Sequence, residues 1–237
     1  MLKRARVRIH KAFAEAGLLS AELLIVFIAC LISLLTFSWM VKKVFINNQD
    51  RFDAHVFESM EQFITPANTA FMQWITFLGT HTFLIPANIL LTAYFLFIRK
   101  HRWYSIKVAS IALSSTAMMF LLKNFFSRQR PLIPLLKPAM GYSFPSGHSM
   151  MSFAFYGLLI FLVYKYVDNK ALKWLLIPVL FALILLIGIS RIYLRVHYAS
   201  DVLAGFSVGI IWLVFSILIL NRLEAYSKRN LRQVVEE

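Results

Sequence analysis

The chain has 237 residues, of which 59% are hydrophobic and 15% charged, with a mean hydropathy of +0.69. Soluble proteins carry about 25% charged residues, so soluble globular, disordered, collagen-like and coiled-coil readings are excluded and an integral membrane protein is expected. The 25 Lys and Arg against 11 Asp and Glu give a net charge of +14, a basic excess that membrane topology, a phosphate ligand or nucleic acid could each explain.

In chain order, Lys3, Arg4, Arg6, Arg8 and Lys11 precede an uncharged run of 19 residues, Leu23 to Val41. The run ends at Trp39, Lys42 and Lys43 with no small-residue cleavage site, which predicts a retained first span and not a signal peptide. The single cysteine, Cys30, lies in this run and is read as packing. Runs free of Lys, Arg, Asp and Glu follow at Gln62 to Ile98, Val108 to Leu122, Pro138 to Tyr164, Trp174 to Ser190 and Val202 to Asn221. Val108 to Leu122 is short for a span and borrows from Trp103 onward, with Lys107 snorkelling to the interface. Gln62 to Ile98 is too long: its 37 residues would make a helix of roughly 55 Å. A break at Gly79, Thr80, His81 and Thr82 divides it into an interfacial or re-entrant helix over Thr65 to Leu78 and a span over Thr82 to Ile98. The expected fold is therefore all-α and polytopic: six transmembrane helices, an external interfacial helix between spans one and two, and one integral domain over residues 1–237. There is no internal repeat.

Six spans put both termini on one side. With the N-terminus cytoplasmic, 16 of the 25 cations fall on the cytoplasmic side, including Arg99, Lys100, Arg102, Lys165, Lys170, Lys173, Arg222, Lys228 and Arg229. Nine stay outside: Lys42, Lys43, Arg51, Lys123, Arg128, Arg130, Lys137, Arg191 and Arg195. Topology explains the first group. The last six of the second crowd into two short external loops and need another cause.

Three segments meet at that external face. Lys123 and Arg130 are seven apart and would share a helix face if the helix ran to Gln129 before Pro131 forces an exit, so two cations could converge on one anion or simply mark an interfacial helix end. Pro145-Ser146-Gly147-His148 opens span four. A Ser-Gly pair there supplies a capping hydroxyl, a backbone that a ligand can approach, and free N–H groups at the positive end of the helix dipole, with His148 placed beside it to donate a proton; the plain alternative is a capped helix with an interfacial histidine. Ser190-Arg191 leads to His197 and Asp201, four apart, so that on a helix the carboxylate lies beside the imidazole, fixes its tautomer and leaves the other nitrogen as nucleophile or base; the plain alternative is an ordinary structural ion pair. Arg191 adds a planar fork for phosphate oxygens.

Lys123-x6-Arg130-Pro131, Pro145-Ser146-Gly147-His148 and Ser190-Arg191-x5-His197-x3-Asp201 together resemble the three-part signature of the type 2 phosphatidic acid phosphatase superfamily, and specifically its integral-membrane lipid phosphatases. The motif core is 123–201. The resemblance implies hydrolysis of a phosphate monoester or diphosphate of a membrane lipid through a phosphohistidine. His197 would be the nucleophile, Asp201 its orienting carboxylate and His148 the general acid and base, while Lys123, Arg130, Ser146, Gly147 and Arg191 hold phosphate. No cofactor or metal is expected, and the chain offers neither a carboxylate cluster for Mg²⁺ nor a His/Cys set for zinc. Undecaprenyl diphosphate, phosphatidylglycerophosphate, phosphatidic acid and a lipid A phosphate are the substrates it allows. A lipid phosphotransferase using the same phosphohistidine and a non-catalytic phospholipid carrier are the alternatives. Membrane lipids, not nucleic acid, are the expected partners. A bacterial inner membrane is the expected location, with cytoplasmic termini and a periplasmic site; an endomembrane with a luminal site is the alternative.

Of the remaining polar residues, His10 and His101 are read as surface groups in cytoplasmic basic segments, and His55 and His81 as structural or solvated, with a place at the entrance to the site as the alternative. Arg195 is assigned to head-group attraction and Arg128 to a supporting role behind the motif residues. The loop Leu132 to Phe144 is either a guide for a lipid chain or an ordinary interfacial loop.

Overall fold

A computed structural model describes residues 23–47, 51–136 and 141–236; Lys3, Arg4, Arg6, Arg8, His10, Lys11, Lys137 and Pro138 lie outside the described residues. The described chain is all-helical, without strands, and has six helical segments long and apolar enough to cross a membrane. Helix α1 spans Leu23–Ile46, its last turn, Lys42–Ile46, being wound as a π-helix. Then come α2 (Arg51–Glu61), α3 (Pro66–Phe77) and α4 (His81–Ala93), which a π-turn over Tyr94–Ile98 extends. The remaining helices are α5 (Arg102–Phe126), α6 (Gly147–Tyr166), α7 (Lys170–Tyr193) and α8 (Ala199–Glu236).

Local chemistry sets most of these boundaries. Thr65 caps α3 by accepting the Asn68 N–H, with Pro66 at the first helical position, and Asn169 caps α7 by accepting that of Leu172. The break expected near Gly79 is present, with α3 stopping at Phe77 and α4 starting at His81. A broken helix frees a carbonyl that an apolar surrounding cannot satisfy, and here the Tyr156 hydroxyl of α6 donates to Leu78 O at 2.9 Å. Two helices, not one, separate α1 from α4. The polar sequence of α2 has no uncharged run, and its helix depends on tertiary contacts with α7 and α8.

α6 is the most buried of the spanning helices and packs against α5, α7 and α8. It is apolar all round, as a central helix should be. Its inner residues Ala154, Leu158 and Leu162 join Val108 and Ile111 of α5 and Leu213 and Leu220 of α8 in one core, while Phe155 and Tyr156 pack with Ile184 and Ile187 of α7 in a second. α1 is largely exposed along its length and is held near its C-terminal end, where Met40 packs with Phe144 and Ala204.

Successive spans alternate in direction. The ends of α1, α5 and α7 and the starts of α6 and α8 therefore gather at one end of the molecule, and the C-terminal half of α8 reaches the opposite end. At that opposite end the structure corrects the expectation for Lys107. It does not snorkel: it is buried, and its Nζ donates to Asn221 Oδ1 at 2.7 Å and to Glu224 Oε2 at 2.6 Å, latching the start of α5 to α8. A buried ammonium needs such partners, and α8 supplies the charged one, Glu224, only because it runs on past the sixth uncharged run.

Candidate active site

The three motif segments converge, though two of them do so by routes the sequence does not suggest. α5 stops at Phe126, where Ser127 takes a left-handed conformation (φ 46°) and closes the helix, so the expected continuation to Gln129 is not made. Lys123 therefore stays on the last turn of α5 while Arg130 lies on the following segment. They come together on the stretch that precedes α6: Lys123 Nζ donates to Tyr142 O at 2.6 Å, and Arg130 Nε donates to Gly141 O at 2.9 Å.

Ser146 is fully buried and caps α6; its Oγ accepts the Ser149 N–H at 3.4 Å and the Ser149 hydroxyl at 2.9 Å. With both lone pairs occupied, its own proton remains to be donated. Gly147 permits the close approach of α5, because a Cβ there would lie 2.6 Å from Met119 Sδ and 3.6 Å from Lys123 Cε. Gly205 of α8 does the same from the other side, where a Cβ would lie 2.6 Å from Ser146 O. The Ser146 N–H donates to Asp201 O at 2.9 Å, so the starts of α6 and α8 are tied directly. His148 follows on the first turn of α6, and its Nε2 is buried with no hydrogen-bond partner among the described residues.

His197 is not on a helix. It sits in the turn between α7 and α8, its own N–H and that of Val196 both donating to Arg191 O at 3.2 Å. Asp201 is at the third position of α8, where it accepts the Tyr198 N–H at 2.9 Å, half of a capping box. The expected pairing is made nevertheless, with His197 Nδ1 and Asp201 Oδ2 3.4 Å apart. Arg130 Nη1 lies 3.2 Å from His197 Nε2 and 2.8 Å from Val196 O. A guanidinium can only donate, so Nε2 is the acceptor and the ring proton is on Nδ1, facing the carboxylate. The unprotonated Nε2 thus points toward the cations. Arg191 Nη1 donates to Thr76 Oγ1 of α3 at 2.7 Å, and Lys123, Arg130 and Arg191 are close enough for their charges to repel.

Sequence reasoning missed Ser143, Thr76, Ser200 and Asp53. The Ser143 hydroxyl donates to Asp201 Oδ2 in a short hydrogen bond and lies 3.3 Å from His197 Nδ1. Arg128 lies behind the motif residues: Nη1 donates to Asp201 Oδ1 and to Ser200 Oγ, both at 2.7 Å, and Nη2 to Asp53 Oδ2 at 2.9 Å. Burial opposes its charge, but the two carboxylates outweigh that and raise its pKa. Arg195 is not left for lipid head groups; its Nη2 pairs with Glu61 Oε1 at 2.6 Å on the exposed surface. His55 and His81 are exposed.

Burial lowers the His197 pKa from 6.5 to about 3, against the opposing pull of Asp201. The unfolded imidazole binds a proton below 6.5 and the folded one only below about 3. Between those values the unfolded state holds more protons, so this contribution to stability is complete above pH 6.5 and is lost as pH falls through the window. The carbon-13 shifts of the His197 ring are expected to stay flat from about pH 8 to about pH 5; a midpoint near 6.5 would contradict a buried neutral nucleophile.

A buried imidazole beside a carboxylate, with three cations and a helix N-terminus close by on a bundle of spanning helices, is an arrangement suited to an anionic group such as a phosphate. The PAP2 superfamily model matches residues 103–225, and the chain belongs to that family of lipid phosphatases. It is 33% identical over 141 residues to phosphatidylglycerophosphatase B of Bacillus subtilis, covering 59% of this chain and 69% of that protein. It resembles the crystal structure of a transmembrane PAP2 type phosphatidylglycerolphosphate phosphatase from Bacillus subtilis with a TM-score of 0.74 and 26% identity, over 81% of this chain and 96% of the other. Its likeness to Aquifex aeolicus LpxE has a TM-score of 0.55 and 28% identity, over 69% and 93% of the two chains. Among the described residues no group of three His, Cys, Asp or Glu side chains is placed to hold a metal ion.

Proposed function

We propose that this protein hydrolyses a phosphate ester of a membrane lipid through a phosphohistidine, with phosphatidylglycerophosphate the first substrate to test. The observation that carries the reading is the double engagement of His197, Nδ1 on Asp201 and Nε2 on Arg130. In the reaction Nε2 attacks phosphorus, and the Arg130 N–H that it leaves turns to a nonbridging oxygen. Lys123, Arg191, the Ser146 hydroxyl and the N–H groups at Gly147 and His148 take the remaining phosphate charge. His148 takes up a proton with the bound phosphate, whose negative charge offsets the surrounding cations; as the ester bond breaks, it gives that proton to the leaving oxygen and the lipid alcohol departs. His148 then removes a proton from water, the water oxygen attacks the phosphohistidine, and inorganic phosphate leaves with Nε2 free again. Asp201 stabilises the cationic imidazole between the two steps.

The names of the relatives support phosphatidylglycerophosphate, and the motifs are equally compatible with undecaprenyl diphosphate, phosphatidic acid and a lipid A phosphate. The cations support an orientation. Arg99, Lys100, Arg102, Lys165, Lys170, Lys173, Arg222, Lys228 and Arg229 lie toward the helix ends remote from the site, which favours a cytoplasmic location for that end and supports an external site on a bacterial inner membrane. Purified protein given each of these four lipids is expected to release inorganic phosphate from at least one and to do so in excess chelator. Transfer of phosphate to a second lipid without release would replace hydrolysis by phosphotransfer, and metal-dependent activity would remove the mechanism.

A further inference from the structure

Behind the His197–Asp201 pair lies a second layer that no motif records. Asp53, on the first turn of α2, is 2% exposed and faces the start of α8: its Oδ1 accepts the Ser200 N–H at 2.9 Å, and its Oδ2 accepts the Ser200 hydroxyl at 2.6 Å. The same Oδ2 accepts Arg128 Nη2 at 2.9 Å, while Arg128 Nη1 reaches Asp201 Oδ1 at 2.7 Å. The guanidinium lies 4.0 Å above the Tyr198 ring, which in turn packs on Phe57 of α2 with centroids 5.7 Å apart.

We propose that Asp53 and Arg128 form a clamp that positions Asp201, so that α2 sets the orientation and charge of the carboxylate acting on His197. The clamp rests on the phosphohistidine reading and adds two positioning residues to it. The physical reason is the sharing of the Asp201 oxygens. Oδ2 already receives Ser143, the Tyr198 N–H and His197, so the carboxylate can stay charged and in plane only if Oδ1 is held by a strong donor from the opposite side. Arg128 is that donor, and a planar fork can reach Asp201 and Asp53 together where an ammonium cannot. Asp53 then holds the fork in place and draws off part of its field.

The titratable and charged groups facing Asp201 are the neutral His197 from its turn, Arg128 and Arg130 from the segment before α6, Lys123 from α5, and, across Arg128, Asp53 from α2. Two changes of opposite sign follow. Without Arg128, Asp201 and Asp53 meet through Ser200 with no cation between them, so Asp201 takes up a proton at higher pH. Without the Asp53 charge, Arg128 acts on Asp201 alone, which keeps its charge to lower pH.

The test is steady-state phosphate release by full-length protein in lipid nanodiscs, on whichever lipid the wild type hydrolyses. Arg128→Gln is expected to lower kcat about 100-fold with KM within about threefold, and Arg128→Lys to recover about tenfold of that loss. The acid limb of kcat/KM should move up by about one unit in Arg128→Gln and move down in Asp53→Asn, which keeps the side-chain shape and costs about tenfold in kcat. Arg195→Gln, which removes the exposed pair with Glu61 and the guanidinium's contact with the Phe57 ring but no bond to Asp53, Arg128 or Asp201, should stay within about twofold of wild type. Loss confined to KM would make Arg128 a phosphate ligand and overturn the clamp. So would wild-type rates in both variants, or pH limbs that do not move in opposite directions. Failure of the phosphatase reading is separately visible: wild type would release no phosphate from any lipid, and the clamp would fall with it.

Discussion

His197→Ala is expected to lower phosphate release by about 10⁴-fold or more and to leave no acid-labile phosphate on the protein after rapid quenching with substrate. The effect is this large because the side chain carries three functions at once. Nε2 is the nucleophile, Nδ1 hands the developing positive charge to Asp201, and the ring completes the resting network of Arg130. Ser146 does not replace it, since its oxygen already accepts from Ser149 twice. Removing a fully buried ring leaves a cavity, so His197→Gln and a thermal melt accompany the alanine variant; a folded but inactive protein in both is the expected result. Phosphate release retained within about tenfold of wild type would transfer the nucleophile to another group.

His148→Ala should behave differently, and the difference identifies its role. On a lipid phosphate, whose alkoxide leaving group needs a proton, kcat should fall by about 10²- to 10⁴-fold. On an aryl phosphate with a good leaving group the first step needs no acid, so His197 is still phosphorylated. Discharge by water still needs a base. The variant is therefore expected to give a burst of phenol equal to the enzyme present and to accumulate phosphohistidine on His197, where wild type turns over steadily. A uniform loss on both substrates with no burst would assign His148 to binding or structure. The burst also separates this residue from Arg128, whose replacement by Gln slows both steps without trapping the intermediate.

Much of this centre is legible in the residue order because its parts are local. Ser146 caps α6 because a hydroxyl one position before a helix satisfies orphan N–H groups wherever that helix lies. The break near Gly79 is visible because no helix of that apolar length fits a bilayer. Arg130 and His197 show where locality ends. Both were expected on helical faces, and both are instead outside helices, Arg130 beyond the left-handed Ser127 and His197 in a turn held by two N–H donations to Arg191 O. They reach the same place because the tertiary structure folds these connecting segments against each other, a fact that spacing along one helix cannot express.

Asp53 is the clearest case of the opposite kind. It lies 75 residues before Arg128 and 147 before Ser200 in the chain, within a short polar helix with no span pattern and no motif. The chain could be read for spans, for the charge excess and for three clusters of chemistry-bearing residues, because hydrophobic length, the asymmetry of Lys and Arg, and helix capping each act over a few turns. The pairing of Lys107 with Glu224 and of Arg128 with Asp53 was decided only by folding. Burial makes an unpaired charge costly, and which opposite charge stands within 3 Å is fixed by how the helices pack.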